Sequence, residues 1–237
     1  MMKVEVWSDI MCPFCYIGKK NYEKALSQFA GATDIEIEWK SFQLDPEIPA
    51  EESYPSEKEY LAERKGLSAA QVTAMLKSVT ATAAEAGVKM DFDRVIVANT
   101  MNAHRLLHFA GEKGLANDLK ERLFRAHFTD GLDVGDKQTL SDLAVEVGLD
   151  REESRAVLAG DEYAYAVAQD IQEAGNIGVR GVPFFVFNRK YAVSGAQPVE
   201  GFLQTLEKAH AEWKETQPKP SFEIIEGPSC SPETGCD

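Results

Sequence analysis

WSDIMCPFCYIGKK, residues 7–20, sets two cysteines two residues apart, and what surrounds them decides the fold. Upstream, Lys3 to Trp7 alternates charged and apolar side chains, the period of a β-strand. Downstream, Pro13 suits the first position of a helix, where no backbone donor is needed. Ile17, Tyr22, Ala25, Leu26 and Phe29 then follow at helical spacing up to Gly31. Cys12 therefore stands where a strand hands over to a helix, and Cys15 lies one helical turn further along.

Three chemistries fit a Cys-x-x-Cys pair: a redox dithiol, half of a metal site, or two inert buried thiols. A helix N-terminus carries about +0.5 of an elementary charge and favours a thiolate. A thiolate is the nucleophile of thiol–disulfide exchange, so the redox reading assigns attack to Cys12 and resolution to Cys15. On this reading Cys12 is the more exposed of the two and has a depressed pKa. Four-coordinate zinc needs two further ligands. Cys230 and Cys236 are separated by five residues, wider than the usual spacing, and His104 and His108 share a helix face at a spacing of four.

The rest of the chain adds a second strand, Ile35 to Trp39 with Phe42 and Leu44 extending it, and then changes character. From about Ser56 to Asn176 the apolar spacing is helical. The pattern predicts helices from Ser68, with Gln71 completing a capping box, toward Gly87, and at 99–113, 116–128, 139–148, 151–159 and 161–175. Val182 to Phe187 is a nearly continuous apolar strand, Tyr191 to Val193 another, and Pro198 to Trp213 a closing amphipathic helix.

The order is βαβ, a helical insert, then ββα. This α/β arrangement resembles a thioredoxin-like fold with a large all-helical inserted domain. In that division residues 1–48 and 177–216 form the thioredoxin-like part, 49–176 the insertion, and 217–237 a tail with a second cysteine pair. More specifically, the chain resembles the DsbA-like thiol oxidoreductases and, within them, the FrnE group. The residues that carry the likeness are Trp7-Ser8-Asp9, Cys12 to Cys15, Asn99-Thr100, Ala103 to Leu106, Gly178 to Phe185, Gly195-Ala196-Gln197 and the terminal cysteines.

The resemblance implies a cis bond before Pro183, with that proline facing the Cys12–Cys15 pair. It implies substrate contacts at Pro13, Phe14, Val182 and Pro183, the Val182 backbone accepting a peptide by strand addition. His104 lies in one of the matching motifs and is placed near the redox site. Cys230 and Cys236 are implied as a second redox pair, against the alternative of a tail with two free thiols.

The expected function is thiol–disulfide exchange with protein or peptide thiol substrates, with glutathione or another thiol reductant as recycling partner. No metal or organic cofactor is called for, because the disulfide itself carries two electrons. The rival within this architecture is a glutathione-dependent enzyme of the kappa glutathione transferase or 2-hydroxychromene-2-carboxylate isomerase type. Such enzymes do not need a second thiol at the Cys15 position. A third reading is a non-catalytic binding module or a polyketide-associated partner.

Composition narrows the field. The chain has 237 residues, 44% hydrophobic and 27% charged, as a folded domain requires. A net charge of −14 argues against nucleic acid, whose phosphates need clustered Lys and Arg. No apolar run is long enough to span a membrane. Without an apolar leader at Met1 to Val6, a cytoplasmic location is expected, where a close cysteine pair is more often chemical than structural.

Overall fold

The computed structural model describes residues 1–217 and, beyond them, the backbone of 230–231 and 235–236. The predicted strand, helix, strand opening is β1 (Met2–Ser8), α1 (Pro13–Gln28) and β2 (Ile35–Ser41). Between β2 and β5 (Phe184–Phe187) come two short strands, β3 (Ser53–Tyr54) and β4 (Val97–Ala98), and seven α-helices. These are α2 (Glu57–Lys65), α3 (Ala69–Ala86), α4 (Met101–Glu112), α5 (Ala116–Arg125), α6 (Lys137–Glu146), α7 (Arg151–Ala159) and α8 (Ala164–Ile177). The described chain closes with β6 (Tyr191–Ser194), α9 (Val199–Thr216) and a two-stranded ladder, β7 (Cys230–Ser231) with β8 (Gly235–Cys236).

Four strands form one sheet in the order β2-β1-β5-β6. β1 runs parallel to β2, from Met2 opposite Ile35 to Ser8 opposite Ser41, and antiparallel to β5, with Val4 opposite Phe187. Both faces are covered, which is why β5 is apolar at every position. On one face Tyr22 of α1 and Phe202 of α9 pack on Phe185 and Phe187, with ring centroids 4.6–6.3 Å apart. On the other, Trp7, Val186 and Ala174 of α8 form a smaller cluster, and the Trp7 indole donates to the Asp170 carbonyl at 2.9 Å. This is the thioredoxin-like α/β fold with a large helical segment between its halves.

Two helices that matter below are capped as their sequences direct. Ser56 accepts from the Glu59 N–H at the start of α2, and Ser68 with Gln71 forms the capping box of α3. Two expectations are corrected. β2 stops at Ser41, because the Leu44 N–H donates to the Asp9 carboxylate at 2.7 Å instead of to a strand neighbour. The helix expected at 116–128 widens after Arg125 into a π-turn, Ala126–Asp130, that seats His127 and Phe128 in the interior.

Candidate active site

β1 delivers the chain to Asp9, whose carbonyl accepts the Cys12 N–H at 3.3 Å. Cys12 is the N-cap of α1, with extended backbone (φ −90°, ψ 112°), and Pro13 opens the helix. The Cys15 N–H donates to the Cys12 carbonyl at 3.0 Å, so the two cysteines share the first turn. Both are free thiols. From the far end of the chain the Val182–Pro183 peptide bond, which is cis, comes up against them, and the Cys12 thiol donates to the Val182 carbonyl at 3.5 Å. The approach is close at Gly18: a Cβ there would lie 3.0 Å from Pro183 Cγ, so the proline would have to give by a few tenths of an ångström.

Cys12 is the more exposed of the two, as expected, but both are buried and the expected depressed pKa of Cys12 is not met. Cys12 is 4% exposed and Cys15 1%. The Cys15 sulfur hydrogen-bonded beside it raises the Cys12 thiol well above the ordinary value, burial adds to this, and the Asp9 carboxylate adds again. The neighbouring sulfur and desolvation outweigh the helix terminus.

Behind the pair, side chains from three helical segments of the insert converge. His104 of α4 stands with Nε2 3.3 Å from Asp9 Oδ1, both residues buried. Burial alone would push the Asp9 carboxyl up, but hydrogen bonds from His104, the Leu44 N–H and Thr100 override it and hold the acid below its usual range. Burial drives His104 downward, so the pair is a carboxylate with a neutral imidazole that donates to it. His104 therefore reaches Cys12 through Asp9. His108, one turn on, faces elsewhere, with Nε2 3.1 Å from both Asp170 Oδ2 and Ser41 Oγ. Lys120 of α5 is 1% exposed; its Nζ donates to the Ser8 carbonyl at 3.4 Å and lies over the Trp39 and Phe124 rings. Burial pulls its ammonium down to about 8, while the charges of Cys15, Asp9 and Cys12 act the other way. His127 is fully buried, its ring nitrogens make no hydrogen bond among the described residues, and burial lowers it to about 4.

Sequence reasoning quoted Asp9 without giving it a role and missed Lys120. The signal for Lys120 was present: it is a charged residue in the stripe Leu119, Leu123, Phe124 that α5 buries. The helix holding it is fastened to α1, with Tyr16 stacked on Phe124 at 5.0 Å and its hydroxyl donating to Glu121 at 2.9 Å.

In front of the pair lies an apolar cleft of about 480 Å³, lined by Cys12, Pro13 and Phe14 together with Leu44, Leu61 and Val79, among others. Cys15 is not among its lining residues. Phe14, 43% exposed, stands at its mouth. Val182 packs against the core cluster that contains both cysteines. Cys230 and Cys236 are backbone partners in the β7–β8 ladder, and their side chains lie outside the described residues.

A family profile described as the DSBA-like thioredoxin domain matches residues 3–207. The chain belongs to that family. This DSBA-like protein is similar to the crystal structure of a probable DsbA oxidoreductase from Streptomyces coelicolor. The identity is 40%, the TM-score 0.84, and the match covers 100% of this chain and 99% of the other. It is 29% identical over 188 residues to the uncharacterised protein YwbO of Bacillus subtilis, covering 77% of this chain and 85% of that one. In fold it is also similar to a 2-hydroxychromene-2-carboxylate isomerase, with TM-score 0.63, 15% identity, and coverage of 90% and 97% of the two chains. Among the described residues of the DSBA-like chain, no three His, Cys, Asp or Glu side chains converge as metal ligands, and no helix is long and apolar enough to cross a membrane.

Proposed function

We propose that the protein is a thiol–disulfide oxidoreductase acting on protein or peptide cysteines, with Cys12 as nucleophile and Cys15 as resolving thiol. One observation carries the assignment of roles: of the two sulfur-bearing residues, Cys12 lines the cleft and Cys15 does not. In the reductive direction the Cys12 thiolate attacks one sulfur of a substrate disulfide, and the other sulfur leaves as a thiolate that takes up a proton. Cys15 gives up its proton, attacks the Cys12 sulfur of the mixed disulfide, and releases the second substrate thiol. Two electrons pass from the dithiol to the substrate, and Cys12–Cys15 becomes the disulfide. Oxidation of a substrate is the same path reversed.

Pro13 and Phe14 meet the substrate at the cleft mouth, and the Val182–Pro183 segment meets its backbone by strand addition. Residues 49–176 act as a cap: α2 and α3 wall the cleft and α5 supplies Lys120 behind the sulfurs. A cytoplasmic location, recycling by glutathione or another thiol, membership of the FrnE group, and a relay role for Cys230 and Cys236 complete the reading.

The likeness to an isomerase fold raises a glutathione-dependent reaction as the competing function. Reduction of insulin disulfides in a glutathione buffer separates the two. Wild-type protein is expected to reduce insulin, and Cys15→Ser is expected to stall as a mixed disulfide. A protein that leaves insulin intact, yet keeps glutathione-dependent activity in Cys15→Ser, would overturn the proposal.

A further inference from the structure

Two charged side chains line the cleft, Glu57 and Lys65, and among the described residues a buried oxygen of Glu57 has no partner. Glu57 opens α2 just after its capping residue, is 7% exposed, and lines the cleft with Cys12 and Phe14. Its Oε2 is buried and makes no hydrogen bond among the described residues. The cations of the same helix, Lys65 of the cleft wall included, are engaged with other groups. Lys58 binds Asp93 at 2.6 Å; Arg64 binds Asp45 at 2.8 Å and Glu47 at 3.2 Å; Lys65 lies over the Tyr60 ring, 4.0 Å from Asp45. Burial pushes the Glu57 carboxyl up to about 7. A carboxylate desolvated in an apolar wall is costly unless paired, and an arriving cation supplies the missing partner.

Resting on the oxidoreductase reading, we propose that this cleft docks the polypeptide segment beside the substrate's cysteine, and that Glu57 selects segments presenting a lysine or arginine among apolar residues. The apolar lining takes the neighbouring side chains, and Glu57 takes the cation by a charge-assisted hydrogen bond. The net charge of −14 draws basic segments toward the molecule before contact.

The test uses synthetic peptides with a single cysteine in an apolar context, disulfide-linked to 2-nitro-5-thiobenzoate, with Lys, Gln or Glu two residues before or after the cysteine. Reduced Cys12 attacks the peptide sulfur and expels the coloured thiolate. Cys15 then releases the peptide as a thiol, so two electrons leave the protein for each disulfide cleaved. In about 0.15 M salt, where long-range attraction is screened, the wild-type rate is expected to rank Lys, Gln, Glu. The span between Lys and Glu is expected to be about tenfold, the scale of one charged hydrogen bond. In Glu57→Gln, which keeps the side-chain volume, the span is expected to shrink to within about twofold. Equal wild-type rates, or a ranking that survives in Glu57→Gln, would overturn the inference. The wild-type ranking needs no variant to be informative. The symmetric nitrobenzoate disulfide, which has no peptide, isolates the underlying reading. If reduced protein fails to cleave it as well, the oxidoreductase function falls; if it cleaves it while the peptides are not ranked, only the role of Glu57 falls.

Discussion

The Cys12 thiol donates to the carbonyl oxygen of Val182 at 3.5 Å, across 170 residues of chain. One sulfur thus touches both the helix start that carries it and the segment leading into β5. A substrate sulfur bonded to Cys12 would lie beside that same backbone.

The proposed division of labour between the two thiols can be tested directly. Cys12→Ser is expected to abolish exchange with protein disulfides. Cys15→Ser is expected to keep the first step and accumulate a covalent adduct, visible by mass spectrometry as protein plus substrate through Cys12. Adducts on Cys15 in the Cys12→Ser protein at comparable rates would contradict the assignment.

Cys12 is expected to alkylate with an apparent pKa above the ordinary thiol value of about 8.5. Lys120 is the buried cation whose charge offsets a thiolate there. Lys120→Met should raise that apparent pKa further and slow alkylation at pH 7.5 by about three- to tenfold. An unchanged iodoacetamide pH profile would show that Lys120 serves packing alone.

The Asp9–His104 pair sets a stability requirement. His104→Ala leaves a buried carboxylate short of its main donor and is expected to cost about 3–5 kcal/mol in urea unfolding at pH 7. The folded Asp9 carboxyl lies below its unfolded value. Its contribution is therefore complete above about pH 3.9 and is lost as pH falls through the folded value. Wild type and His104→Ala should converge in stability under strong acid.

Glu57 works with the opposite sign. Its folded carboxyl titrates at about 7, above the unfolded value, so the folded state holds the proton more tightly and loses stability as pH rises through that window. Glu57→Gln should match wild type at pH 4 and gain about 1–3 kcal/mol at pH 8. Equal stability of the two proteins at pH 8 would show that the carboxylate is solvated.

The tail gives a kinetic prediction. Tethering would present Cys230 and Cys236 to the Cys12–Cys15 pair at a high effective concentration. Truncation after Gly227 is expected to slow re-reduction of the active-site disulfide by glutathione. Unchanged kinetics would make the tail a passenger.

The cysteine motif and the framework around it were legible because both are local. Alternation over Lys3 to Trp7, Pro13 at the helix start and the glycines between insert helices each state their structure within a few residues. What lay hidden depends on partners distant in sequence. β3 and β4 are two residues each, too short to show a period. Glu57 reads as an ordinary acid at a helix start, favoured there by the dipole, and only packing around the cleft makes it a buried one. Lys120 meets the Ser8 carbonyl from 112 positions along the chain. The low pKa expected of Cys12 came from the helix terminus alone, since no local pattern states how deeply a sulfur will be buried.

That depth bears on chemical damage. A thiolate open to solvent climbs from sulfenic to sulfinic acid, a step that is lost to ordinary repair. Here a peroxide must reach a sulfur in a residue 4% exposed, and the first oxidised product forms beside Cys15, one turn away. Cys15 can condense with a sulfenic acid on Cys12, expelling water and giving the disulfide before a second oxidant arrives. The Cys15 sulfur and the burial that keep Cys12 protonated also make the pair durable, so repeated peroxide exposure should leave a reducible centre where an open thiol would be spent.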